Sequence, residues 1–228
     1  MRVARNAEAA DWIPARLHPF AQDVGSVIPV GFAAYTRIFH PPVRLAPDGT
    51  ETPVRWRDIA AANERSIEAE MQLLGSLAEP TQHSSSGRVL WDQQPDVGSL
   101  PHNIAVHLAA ILTAYTTPPG ACWFAVWEGF ADLDRKWRTA PVLSIPHRKL
   151  LVLEGTLPEV GSTLSESAWH YRSPSLWWPE DRAWCVATEV DFTWSYVGGS
   201  IPCIQQLLND PELEAVSTHP DEHNEMRR

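Results

Sequence analysis

Two carboxylates, Glu189 and Asp191, stand two residues apart in a stretch, 183–191, where Trp184, Val186, Thr188 and Val190 alternate with other residues. On a β-strand such a pair shares one face at ~6–7 Å. Carboxyl groups at separations of that order can divide acid and base or nucleophile roles, as in glycoside hydrolysis. Glu128 follows Trp127 at the end of another strand-like run, and it is the acid placed to join them. Catalytic pairs ordinarily come from two elements flanking a cleft, so the pair also reads as a solvated strand face. A second group begins at Trp177 and Trp178, directly ahead of the turn Pro179-Glu180-Asp181-Arg182. Two adjacent indoles in a loop cannot easily both point inward, and indoles are frequent binding anchors. Trp177, Trp178, Glu180, Asp181, Glu189 and Asp191 therefore form the expected docking surface. Its indoles would anchor a partner, and its carboxylates would steer it.

Other chemistries find weaker footing. His102 and His107 are five apart, off the i, i+4 spacing of two ligands on one helical face. His219 and His223 have that spacing but lie in a Pro-broken tail, so no metal is assigned. Cys122, Cys185 and Cys203 form no CxxC pair and read as buried free thiols. The chain has no G-x-S-x-G elbow, no Walker A and no G-x-G-x-x-G, and no cofactor is expected. Gly198-Gly199-Ser200 reads either as an anion cradle or as an ordinary loop and N-cap.

The net charge of -10 argues against nucleic acid and against an anionic membrane surface, both of which are themselves negative. It suits a free cytoplasmic protein or one that binds something basic. Residues 1–8 carry charges without an apolar run behind them, so no targeting segment is expected. The longest apolar stretch, 104–115, contains His107 and is too short to span a bilayer.

The elements that would position these residues follow from periodicity. Residues 25–39 predict a short helix with Pro29 in its first turn and Phe32, Tyr35 and Phe39 as its apolar stripe. Residues 56–77 predict a longer helix with Trp56, Ile59, Ala60, Ile67, Met71 and Leu74 inward, followed by a polar Ser-rich loop, 81–87. Ser99 is placed to cap a third helix buried through Ile104, Leu108, Ile111, Leu112 and Tyr115. The period then changes, and 122–128, 148–154 and 183–191 read as strands of one sheet. Ser200 opens a last helix that Pro211 ends. Helices first and strands later, without βα alternation, predict an α+β fold. It would be a single domain over 1–216 with a mixed or antiparallel sheet packed on helices. The 11 tryptophans supply a Trp-rich core, and 217–228 is expected to be a disordered tail.

Three segments carry a resemblance. They are Ile28-Pro29-Val30-Gly31-Phe32 through Pro41, Cys122-Trp123-Phe124 through Phe130, and Leu176-Trp177-Trp178 through Ser200. They resemble a family of uncharacterised bacterial proteins of actinobacterial type, which implies no activity. A leading aromatic-x-x-aromatic helix after Pro29, Trp-rich central strands and a Ser-capped terminal helix are loosely similar to the SMI1/KNR4 (SUKH) superfamily. That similarity implies an α+β fold and, for many bacterial members, a toxin-neutralising immunity role. The leading expectation is thus a non-enzymatic acidic binding protein that occludes a basic protein partner. The alternative is a hydrolase using Glu128, Glu189 and Asp191 in a Trp-lined cleft.

Overall fold

A computed structural model describes residues 1–20, 23–63, 90–117 and 120–223. In chain order its elements are β1 (Arg2–Val3), β2 (Ala34–Phe39), β3 (Val43–Leu45), β4 (Glu51–Pro53), α1 (Trp56–Ala62) and α2 (His102–Thr113). Then follow β5 (Ala121–Trp127), β6 (Val142–Ile145), β7 (Arg148–Thr156), β8 (Leu176–Pro179), β9 (Cys185–Ala187), β10 (Trp194–Gly199), α3 (Ile201–Asn209) and β11 (Ala215–Thr218). The large sheet runs β1-β7-β5-β8-β9-β10-β2-β11, with β6 beside β1 on the outer edge of β7. Every pairing in it is antiparallel. β3 and β4 form a separate hairpin. The fold is α+β with an antiparallel sheet, as expected, although the expected order of helices before strands is not observed, since β1 to β4 precede α1.

The sheet is buried on both faces, and strand alternation divides the side chains between two cores. Phe124, Val126, Leu151, Leu153, Trp177, Val186 and Val197 pack under α2 and α3 through Ile104, Leu108, Leu112, Ile204 and Leu207. Their neighbours Ala125, Leu150, Val152, Trp178, Cys185 and Tyr196 pack on the other face. There they meet Trp12, Ile13, Val24 and Ile28 of the N-terminal segment and Trp56 and Ile59 of α1.

This two-sided burial explains the main departures from the sequence pattern. Residues 25–39 form no helix. A single 3-10 turn spans Val24–Ser26, Gly31 takes φ +103°, and Tyr35 to Phe39 are all buried in β2. A strand buried on both faces loses its polar–apolar alternation, so spacing within it imitates a helical stripe. The leading helix that carried part of the SUKH resemblance is therefore a strand, while the Trp-rich strands and the Ser-capped α3 are present.

The other expectations divide. α1 starts at Trp56 as predicted, and its main-chain N–H groups at Trp56 and Arg57 donate to the Glu214 carboxylate (2.7 and 2.6 Å). Residues 64–77 and the Ser-rich stretch 81–87 lie outside the described residues. Ser99 does not cap α2. Pro101 holds the N-cap position, and Ser99 Oγ instead accepts from Ser173 N (3.0 Å). Ser200 does cap α3, its side chain accepting from Cys203 N. Residues 217–223 belong to the fold, contrary to the expected tail boundary. β11 pairs with β2, and Glu222 forms an ion pair (2.8 Å) with the fully buried Arg37. Gly198 and Gly199 lie within β10, where a Cβ at Gly198 would meet Phe32 at 2.5 Å, so they serve packing and not an anion cradle.

Candidate functional site

β5 and β7 form the longest ladder of the sheet, from Ala121 opposite Thr156 to Trp127 opposite Leu150. Seven residues at ~3.3 Å each separate its two ends by roughly 20 Å. Each end carries a hollow.

At the Trp127 end, Ile145 pairs with Arg148, so Pro146 and His147 alone make the β6–β7 turn. His147 takes φ +60°, a left-handed conformation more often given to glycine. Its ring packs on Phe20, 4.6 Å between centroids. Next to it the Arg148 guanidinium lies over the rings of Phe20 (5.2 Å) and Trp127 (5.7 Å). Arg148 Nη2 donates to Glu189 Oε1 (2.6 Å) and, more weakly, to Asp191 Oδ2 (3.4 Å). Arg148 also lines an open hollow of about 370 Å³ with Trp127, Glu128, His147 and Lys149. The three acids named from sequence do gather at this end. Glu189 and Asp191 are not a strand-face pair, because β9 ends at Ala187 and Glu189 opens a turn closed by Phe192 N (3.1 Å). Both are occupied as counter-ions of a guanidinium. Three carboxylates stand here with three fixed cations, Arg148, Lys149 and Arg138, the last donating to Glu128 O (2.6 Å).

At the Ala121 end the balance is more acidic. A hollow of about 360 Å³ is lined by Arg2, Trp123, Glu154, Gly155 and Glu159, together with Met1. Arg2, largely in solvent, reaches Glu154 Oε1 (2.8 Å), and the Met1 amine meets Glu159. The β8–β9 turn comes up beside it, and Glu180 accepts from the Trp123 indole N–H. Asp181 accepts from the main-chain N–H groups of Thr117 (3.1 Å) and Ala183 (3.0 Å). Burial alone would raise the Asp181 carboxyl, but the Thr117 side chain together with these main-chain donors outweighs it and holds it below its ordinary value.

The single docking surface expected from sequence is therefore not assembled. Trp177 and Trp178 are both 0% exposed. They sit in β8, a strand covered on both faces, so consecutive indoles point to opposite cores and both are inside. Glu180 and Asp181 stand at one end of the β5–β7 ladder, and Glu189 and Asp191 stand at the other. Sequence reasoning missed Arg148, Glu154 and Glu159, and Trp123, partly buried against the second core, keeps an exposed edge at the rim. Only the β5–β7 register brings these residues to the rims.

Ser195 and the three cysteines are sealed from solvent. Ser195 Oγ lies 2.9 Å from His40 Nε2 and 2.6 Å from Thr188 Oγ1, but Ser195 and His40 are wholly buried and Thr188 nearly so. Burial pushes the His40 imidazole down to about 3, which keeps it neutral. It likewise pushes all three thiols up, Cys203 to about 11, so none is a ready thiolate. No helix of the described residues is long and apolar enough to cross a membrane. No family model, no curated protein and no solved structure matches this chain.

Proposed function

We propose that this chain is a non-enzymatic binding protein whose partner is a basic protein, engaged at the Ala121 end of the β5–β7 ladder. The observation that carries this reading is the hollow between Trp123, Glu154 and Glu159, with Glu180 on its rim. It combines an indole face with three carboxylates and has the size to accept a lysine or arginine side chain. Trp123 takes the anchoring role that the sequence had suggested for Trp177 and Trp178. The net charge of -10 supplies long-range steering toward a cationic surface. Occlusion of a basic partner by such a surface is the action an immunity-type protein would need.

The test is affinity capture from lysate of the protein's own host at low and moderate salt, repeated with the double variant Glu154→Lys/Glu180→Lys. A stoichiometric basic partner should be lost in the variant and as salt rises. Equal capture by the variant would refute this surface. Loss on Trp169→Ala instead would move the interface to the loop where Trp169 is 99% exposed. That loop carries both charge signs, with Arg172 and His170 on Asp132 and Arg135 on Glu166.

A second reading rests on the gathering of Glu128, Glu189 and Asp191 around the Arg148 hollow, which supports a hydrolase. It requires turnover of a glycoside substrate that Glu128→Gln abolishes without loss of folding. The engagement of Glu189 and Asp191 by Arg148 weighs against it, since those groups are held as counter-ions.

A further inference from the structure

The C-terminal segment of the described chain meets the N-terminal region at residues 18–25. His18 N donates to Gly25 O (2.9 Å), closing a loop. The C-terminal segment lies against that loop through Gly25 N to Pro220 O (2.8 Å), Val24 N to Glu222 O (3.0 Å) and a bridge between Asp23 and His223. Three side chains come together at this junction. One nitrogen of His18 and one carboxylate oxygen each of Asp23 and Asp221 lie within 4.8 Å of one another.

The arrangement is held from behind. Asp23 Oδ1 accepts from Ser26 N (3.0 Å), and Ser26 Oγ donates to Asp23 O (2.6 Å), which fixes the carboxylate. Its other oxygen, Oδ2, stands 2.9 Å from His18 Nδ1. The imidazole backs onto Gly25, where a Cβ would meet Nδ1 at 2.5 Å, so a bare main chain is needed to admit the ring. Among the described residues Asp221 has no lysine or arginine partner, although it sits beside a second carboxylate.

We propose that His18, Asp23 and Asp221 bind one divalent transition ion of zinc type, which clips the C-terminal segment to the N-terminal loop. Two donors each about 2.0–2.2 Å from a tetrahedral ion stand about 3.4 Å apart, so the His18–Asp23 pair, 2.9 Å apart in a hydrogen bond, needs to open by only about half an ångström to admit it. An imidazole among the donors favours zinc-type ions over calcium and magnesium, which take all-oxygen shells. Three protein ligands leave room for water. The clip matters because Asp221 adjoins Glu222, whose carboxylate neutralises the buried Arg37 and accepts from Thr218 Oγ1 (2.6 Å).

Calorimetric titration of the chelator-stripped full chain with zinc chloride tests this, with His18→Ala and Asp221→Asn as variants. One ion per chain is expected, bound at least about tenfold more weakly in each variant. The zinc-loaded chain should also resist proteolysis at its C-terminus better than the stripped chain. Asp221 is exposed, so Asp221→Asn should keep the parent circular dichroism and separate ligand loss from unfolding. Absence of saturable binding, or binding unchanged in both variants, would overturn the proposal. Binding that survives them and disappears in His219→Ala/His223→Ala would place the ion on the tail histidines and overturn it equally. Competition by calcium at equal concentration would refute the zinc-type assignment.

Discussion

The same two strands, β5 and β7, end in two different surfaces. At the Trp127 end, Arg148 collects Glu189 and Asp191 between two aromatic faces, so the largely buried Glu189 has its counter-ion within the protein while Asp191, 62% exposed, is held more weakly. At the Ala121 end, Glu154, Glu159, Glu180 and Asp181 outnumber the Arg2 side chain, the Met1 amine and the nearby Lys136, which is itself paired with Asp134. Arg2 is 81% exposed, and an exposed pair of that kind contributes little. Carboxylates of one protein are thus held in two ways. Those around Arg148 share one largely buried guanidinium, while those at the Ala121 end are held separately by the exposed Arg2, the Met1 amine, the Trp123 indole and main-chain N–H groups.

The largest expected effect concerns the core that both ends share. Trp177→Ala or Trp178→Ala should each lower stability by about 3–5 kcal/mol in urea denaturation, since each empties a fully buried site. A change in partner binding without loss of stability would instead restore these indoles as surface anchors. Next in size, Arg148→Ala should cost about 2 kcal/mol in the same assay. It leaves Glu189, whose side chain is only 16% exposed, without its counter-ion. Glu180→Gln at the opposite end should change stability far less than this, and equal effects would erase the contrast between the ends.

Acid should also separate the two ends. His40 bonds Ser195 next to Thr188, just before Glu189, and its folded value of about 3 lies below its ordinary 6.5. The unfolded chain therefore binds the extra proton first, and stability should fall as pH drops from 6.5 toward 3. His40→Gln should flatten that limb of a stability–pH profile, and an unchanged limb would count against a neutral buried imidazole. Asp181 has linkage of the same sign in a lower pH window, a carboxyl held below its ordinary value of 3.8. Its contribution is present above that value and disappears only as pH falls below it. Asp181→Asn is the smallest effect, under about 1 kcal/mol, because two hydrogen bonds in an exposed turn are at stake. It should appear only as a shallower decline below pH 4.

Much of this was legible where local rules dominate. The strands at 122–128 and 148–154, the Ser200 cap and the end of α3 before Pro211 all follow from periodicity and capping chemistry. Local rules failed where a strand is buried twice over. In β2 and β8 every position is apolar or sequestered, so residue spacing no longer reveals which way a side chain points. The acids show the same division. Glu128, Glu189 and Asp191 were recognisable as a group, but Arg148, the shared partner of Glu189 and Asp191, is 41 residues from Glu189 and invisible without the sheet register.

The sequence by itself determined an acidic α+β chain with a tryptophan-rich interior, because composition and local period are properties of the chain read in order. The tertiary structure alone decided which tryptophans face water and which carboxylates are neutralised. It also decided that His18 and Asp23 meet Asp221. These depend on antiparallel pairings between residues far apart in the chain, and one residue of register turns a side chain from one face of a strand to the other.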